Sequence, residues 1–421
     1  MKLNFIFLFL ILIGVVACSK SKLPVIETGS VTPMPPAWID KDTGHKIIHL
    51  TPREGDNRSF YFHNNPFLPA VDEINEKMIF YGQVGENMQL FSVDLKNGEM
   101  DQITNKKRVS GEIVASKGRE VFYQCGDSVF ATGVENHQTR LIFVFPDTLV
   151  GGITTLNADE MLLSGSISSK EEAERDKSRP RKPGQSSFEW IYEGKLRRSL
   201  ITISVETGEM KIIHSENAWL NHIQFSPTDP NLLMFCHEGP WHKVDRIWTI
   251  NVTGGGPKLM HKRTMDMEIA GHESFSSDGK HIWFDLQMPR GENFFLASVD
   301  IATGKEIRYS LTRNEWSIHF TISPDGKWFA GDGGDPSQVA KAEDGMWIYR
   351  FKLEGDHLAS QRLVNMKHHN YSKNGGTEPN EHISPDGKWI IFRANFEGHT
   401  DIYAVEVKKS KKGINEDLQI R

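Results

Sequence analysis

A phrase built on Ser-Pro-Asp-Gly recurs along this chain and limits its fold more than any other feature. Clear copies are SFSSDGKHIWFDLQ, TISPDGKWFAGDG and HISPDGKWIIFRAN, each followed by a further strand-like run: LASVDIATGKE, MWIYRFKLEGD and DIYAVEV. Looser copies are PFLPAVDEINEKMIFYGQ and QFSPTDPNLLMFCHE, and residues 111–140 and 148–212 supply two degenerate ones. Asp-Gly and Asn-Gly turns between short apolar runs are hairpin signals, and helical periodicity is nearly absent. A four-stranded unit of roughly 45–60 residues is the pattern of a propeller blade. About 370 residues at about 53 per unit predicts an all-β, seven-bladed β-propeller spanning residues 38–408. Apolar content of 38%, with 10 Trp and 24 Phe, is enough to fill the core of such a fold. The segment DTGHKIIHLTP (42–52) reads as outer-strand material, predicted to complete the last blade and leave no open edge.

The two ends carry different signals. Lys2 precedes the apolar run FIFLFLILIGVVA, which stops at Cys18 and is followed by Ser-Lys-Ser-Lys, so residues 1–18 read as a secretory signal. The VVAC ending resembles a bacterial lipobox, which implies lipidation at Cys18 and a lipid-anchored protein of the cell envelope. A single transmembrane helix is the other reading, although the run is short for one. Residues 19–37, with four prolines, read as a flexible tether, and residues 409–421 as a basic tail. Cys125 and Cys236 lie in separate repeats and read as buried free thiols. With a net charge of −6, no nucleic-acid partner is expected, and an anionic ligand needs local cations. A monomer is expected.

One insertion interrupts the repeat at 168–194, with a short helix predicted before Pro180 and Pro183. From Arg175 to Arg198 eight Lys or Arg stand against three acids. Either it is a solvated surface loop, or it is a lid that lays cations over a polyanion at the propeller mouth.

The candidate site follows from register. Counting four residues back from the serine of each turn gives His222, His272, His319 and Asn380. Equivalent strands occupy equivalent places in a ring, so three histidines about 50 residues apart should face one channel at one depth. Converging imidazoles bind a transition metal or move protons near neutral pH. Glu378 lies two residues before Asn380 on the same predicted face, so His319, Glu378 and Asn380 form a candidate mixed N/O site for Mn²⁺ or a similar divalent ion. Stretch 221–248 adds His237, Glu238, His242, Lys243, Asp245 and Arg246 within ten residues, too many ionisable groups for an ordinary loop. There is no GxSxG elbow, P-loop, CxxC pair or helical zinc signature.

NHIQFSPTDPNLLMFCHEGPWHKVDRIW together with RTMDMEIAGHESFSSDGKHIWFDLQ is similar to the oligogalacturonide lyases, polysaccharide lyase family 22. HNNPF (63–67) and GDGGD (331–335) also resemble that family. The resemblance implies a seven-bladed propeller with a Mn²⁺-type site that cleaves short α-1,4-galacturonides by β-elimination. By position it implies His272 as the base and Arg246 as an arginine near the reacting sugar. It also implies His319 as a metal ligand; from the 221–248 stretch itself, His222, His237, His242 and Arg246 are expected as substrate contacts. The family's Q-x-x-H-x-H pattern in the last blade is replaced here by Gly375, Glu378 and Asn380, and His382 falls on the other strand face. Two functions are therefore weighed: an envelope lyase on uronic-acid oligosaccharides, or a non-catalytic propeller that binds uronate oligomers or a protein partner. Retention of six ionisable residues (His222, His237, His242, Arg246, His272 and His319) favours the lyase. A hydrolase is disfavoured because no carboxylate pair stands out among the channel-facing positions.

Overall fold

In the computed structural model, which describes residues 22–372 and 377–410, the repeated phrase becomes a repeated turn. Ser276, Ser323 and Ser384 each donate from Oγ to the Asp two residues on, at 2.6, 2.7 and 2.7 Å. Each Oγ also accepts the backbone N–H of the residue five positions later. Gly279, Gly326 and Gly387 then adopt φ of 68–69°, which a side chain would oppose. The hydroxyl therefore replaces the backbone partner that the turn residues lose.

The turns join antiparallel meanders. Strands Trp219–Phe225, Leu232–Glu238, Ile247–Asn251 and Lys258–Leu259 form one four-stranded sheet, and Val109–Ala115 to Thr139–Val144 and Leu149–Leu156 to Met210–Glu216 form two more. Two further meanders, Ile269–Phe275 to Glu306–Leu311 and Phe320–Ile322 to His357–Asn365, are linked by one parallel bridge between Ser310 and His357. The sheets pack face to face. Met234, Ile247, Ile282, Phe284 and Leu286 fill one interface, and Met78, Phe80, Trp389, Ile391 and Ile402 fill another. Burial of each such side chain contributes roughly 1.5–3 kcal/mol before chain entropy is counted.

The chain's two ends meet as the 42–52 segment predicts. His45–His49 pairs antiparallel with Asp401–Lys409, placing an N-terminal strand in the same sheet as Trp389–Ala394 and His382–Ile383. The flexible tether expected over 19–37 needs correction in its later part. Val25–Ile26 adds a parallel strand to Ala37–Asp40, Thr28 donates to Asp40 at 2.6 Å, and Glu27 is held by Lys367 and His368. Prolines and few apolar residues mimic a linker, and the Glu27 partners Lys367 and His368, about 340 residues away in sequence, leave no local signal. Cys18 and most of the C-terminal tail lie outside the described residues.

The insertion holds two helices where one is expected: α1 (Lys170–Lys177) and α2 (Ser187–Gly194). Ser186 and Glu189 form a capping box that starts α2, a Ser-x-x-Glu signal legible in QSSFEW. Among the described residues no helix is long and apolar enough to cross a membrane.

Candidate active site

The inner strands explain why histidines at the Ser−4 position converge. In Trp219–Phe225 the pairing register shifts between Asn221 and Gln224, and in Ile269–Phe275 between Gly271 and Ser274. These are β-bulges, and the bulged residues His222 and His272 both have φ of 46°. Asn380, at the same offset, has φ of 44°. Imidazole and amide side chains tolerate this left-handed region better than most, and a bulge re-aims the side chain out of the strand's normal alternation.

His272 and His319 lie with ring centroids 4.8 Å apart. His272 Nδ1 is 2.9 Å from Asp285 Oδ1, and His319 Nδ1 is 2.7 Å from Asp332 Oδ2. A carboxylate on Nδ1 makes it the protonated nitrogen, which leaves Nε2 as the lone-pair donor. Burial pushes the His272 pKa down, but the Asp285 charge and hydrogen bond outweigh it, so the net shift is upward. The His319 pKa lies well below its ordinary value, through burial and then the neighbouring His272. Its Nε2 is buried without a hydrogen-bond partner, 3.8 Å from Glu378 Oε2. Behind it, burial raises Asp332 to about 7, and burial and then the Asp332 charge raise Glu381.

A segment from the first sheet crosses between these histidines. The Tyr61 ring touches His222 and His319, the Phe62 ring stacks on His319 at 4.7 Å, and His63 sits 6.2 Å from His222. The last sheet holds the segment. Asn380 Oδ1 accepts the Phe62 N–H at 3.0 Å, Arg393 donates to the Ser59 carbonyl at 2.9 Å, and His382 Nε2 reaches the Phe60 carbonyl at 3.1 Å. Glu112 accepts the Tyr61 N–H at 2.6 Å, and burial raises its pKa. Burial, then the charge of His222, lowers the His63 pKa to about 3, so this ring stays neutral. A cavity of about 750 Å³ lies on the side of the Ser-x-Asp-Gly turns, lined by Phe62, His63, Gln224 and the turn residues Pro227, Pro324 and Pro385.

The remaining candidates are spread over the 221–248 wall. His222 Nε2 lies 3.4 Å from Glu238 Oε2. Arg246, expected at the reacting sugar, is instead 1% exposed between Glu238 and Glu273, beneath the Trp241 indole. Burial opposes ionisation of Glu238, yet Arg246 and His222 hold its carboxyl well below the usual range. Arg246 thus braces the wall, paired with both glutamates and covered by the Trp241 ring. His237 stacks on Trp248 and bonds Glu216 at 2.8 Å, lining a cleft of about 230 Å³ with Tyr192, Lys195 and Lys243 rather than joining the histidine cluster. His242 sits on the turn Trp241–Lys243; burial, then Lys243, Arg290 and Arg263, lowers its pKa. Asn380 has its amide engaged, donating to the Glu378 carbonyl as well as accepting from Phe62. Gly375 lies outside the described residues. Most of the insertion's cations are engaged close by: Arg175 with Glu172, Arg179 with Asp176, Lys182 with Glu193, Lys195 over Tyr192 and Arg198 over Trp219.

Asp285, Asp332, Glu273 and Tyr61 are absent from the sequence-derived set. A signal for two of them exists, since Asp285 and Asp332 each follow their histidine by 13 residues. That offset carries the chain around one turn to the adjacent strand.

The profile of a family described as oligogalacturonate lyase matches residues 34–411. This chain belongs to the oligogalacturonate lyase family. It is 24% identical over 387 residues to an oligogalacturonide lyase of Pectobacterium atrosepticum, covering 89% of this chain and 96% of the relative. It is 25% identical over 390 residues to an oligogalacturonate lyase of Dickeya dadantii, with the same coverage. The solved oligogalacturonate lyase of Vibrio parahaemolyticus superimposes with a TM-score of 0.77 at 23% identity, over 89% of this chain and 97% of that one. An oligogalacturonate lyase solved in complex with manganese gives the same score and identity, over 89% and 96%. As a member of a lyase family, the chain is an enzyme.

Proposed function

We propose that this chain is an envelope-tethered lyase that cleaves short oligogalacturonides, or closely related uronic-acid oligomers, by β-elimination. The observation that carries the reading is the His272–Asp285 pair placed directly against His319. In this reading Asp285 holds the His272 tautomer, and His272 Nε2 accepts the C5 proton of the sugar on the +1 side of the scissile bond. The C5 electron pair then forms the C4=C5 double bond as the glycosidic C4–O bond breaks, and the departing oxygen takes a proton from water, which leaves a 4,5-unsaturated uronate and a new reducing end. That proton is α to a carboxylate, so its removal is slow until the carboxylate's charge is neutralised.

His319 and Glu378 are the residues that fit a divalent ion such as Mn²⁺. An orphaned, buried imidazole nitrogen faces a carboxylate oxygen and offers one N and one O donor. Asn380 stands behind them with its amide engaged. When bound, the ion supplies the Lewis acidity that stabilises negative charge on the substrate carboxylate. Lys243 on the 241–243 turn, with Arg263 and Arg290 near it, provides the local cations that the chain's net charge of −6 does not.

The fold reading is seven blades, the sheet linked by the Ser310–His357 bridge counting as two. Lipidation at Cys18 would tether the enzyme to a membrane of the cell envelope as a monomer. The decisive experiment incubates purified protein with oligogalacturonides and follows the ultraviolet absorbance of the unsaturated product. Absorbance that chelation abolishes and Mn²⁺ restores supports the reading. Binding without any product across a panel of uronate oligomers refutes it in favour of a non-catalytic binding propeller.

A further inference from the structure

A second group of metal-ligating side chains lies outside the active site, where the ends of the chain meet. His49 ends the N-terminal strand His45–His49, Asp401 begins the C-terminal strand Asp401–Lys409, and Glu397 and His399 occupy the hairpin before it. His49 Nε2 is 3.1 Å from Asp401 Oδ2, and His399 Nε2 is 3.0 Å from the same oxygen. The ligand atoms of His49, Glu397 and Asp401 all lie within 4.8 Å of one another.

A simple hydrogen-bonded cluster does not account for this geometry. The His49 and Asp401 side chains are only 7% and 1% exposed, yet neither His49 Nε2 nor Asp401 Oδ2 has an aligned hydrogen-bond partner. The His49 and His399 imidazoles each bring a ring nitrogen to the same Asp401 oxygen, and Glu397 brings a second carboxylate close to His49 and Asp401. Ligands on a tetrahedral zinc ion, with bonds of about 2.0–2.2 Å, are spaced about 3.3 Å apart, close to the separations found.

The surroundings fix these groups as outer partners fix metal ligands. Asn57 Nδ2 donates to Asp401 Oδ1 at 2.7 Å, which leaves Oδ2 to face the histidines. The His49 ring is stacked on Tyr403, 4.7 Å between centroids. Glu397 accepts the Met34 N–H, and His399, 39% exposed, leaves a route from solvent.

We infer that His49, Asp401, Glu397 and His399 form a structural binding site for a zinc-class divalent cation that clamps the N-terminal strand to the C-terminal hairpin. Two carboxylates balance the cation's charge, and two neutral imidazoles favour zinc over manganese in affinity. Cation binding here stabilises the closed ring, because the ligands come together only when the first and last parts of the chain are paired.

The test uses full-length protein stripped by chelator and titrated with Zn²⁺ alone. The expected result is one zinc equivalent retained in His319→Ala, with Tm raised on the order of 3–5 °C at a hundredfold excess over the dissociation constant. His399→Gln, at an exposed hairpin position, should weaken zinc binding at least tenfold with catalytic activity kept, and His49→Gln should abolish it. Co²⁺ in place of Zn²⁺ should give visible bands that vanish in His399→Gln. Absence of zinc binding overturns the inference. So does zinc that is lost in His319→Ala, or that binds undiminished in His399→Gln.

Discussion

The inner strands of two successive sheets and of the last sheet carry side chains at the same pair of positions, and the chemistry differs completely. In the first two, His272 faces Asp285 and His319 faces Asp332. In the last, Asn380 and Arg393 take the equivalent places and grip backbone: the Phe62 N–H and the carbonyls of Ser59 and Glu378. An imidazole backed by a carboxylate can hold or move a proton, whereas an amide and a guanidinium here position a neighbouring segment. One framework thus yields a reactive wall and a clamp, depending on two residues per unit.

Mutations can break or sharpen this contrast. The largest effect is expected from His272→Ala, which should lower kcat/KM on the order of 10³-fold, within the range for loss of a general base, with Tm nearly unchanged. Full activity in that variant would remove His272 from the reactive wall. Arg246→Ala should act through stability, costing about 3–5 kcal/mol in urea unfolding, because it leaves Glu238 and Glu273 as buried unpaired charges. Asn380→Ala should cost about 1–3 kcal/mol by orphaning the Phe62 N–H, with Mn²⁺ affinity little changed. If it instead removes metal binding without loss of stability, the last sheet is reactive and the contrast fails.

A smaller effect concerns pH. His369 is buried and bonded to the Thr377 carbonyl at 2.6 Å, and burial lowers its pKa to about 4 against an ordinary value near 6.5. The unfolded chain therefore binds the extra proton first as pH falls. Stability should be intact above about 6.5 and decline toward pH 4, by about 2–3 kcal/mol for this residue. His369→Gln should flatten that part of the urea-midpoint profile, and an unchanged slope would show that the acid sensitivity resides elsewhere.

Much of the architecture was legible because it repeats. The Ser-Pro-Asp-Gly turn recurs with the same hydroxyl and carboxylate bonds, so one reading of its chemistry applied several times. The shared depth of His222, His272 and His319 followed from the same periodicity. Arg246 and His237 were harder, because a loop has no register: identity shows that they are ionisable, not that one is enclosed by two glutamates and the other turned toward Glu216. The crossing segment was opaque for a related reason. Nothing local in FYFHNN reveals that its rings lie among residues from four other sheets. The folded stretch near Val25 reads as a linker because a two-residue parallel strand carries no alternation and Glu27 is held by distant Lys367 and His368.

That crossing segment has a consequence for traffic. Tyr61, Phe62 and His63 stand between the histidine cluster and the 750 Å³ cavity on the side of the Ser-x-Asp-Gly turns. Among the described residues these three side chains close off that side of the cluster, so a sugar that meets His272 and His319 is expected to enter from the opposite side.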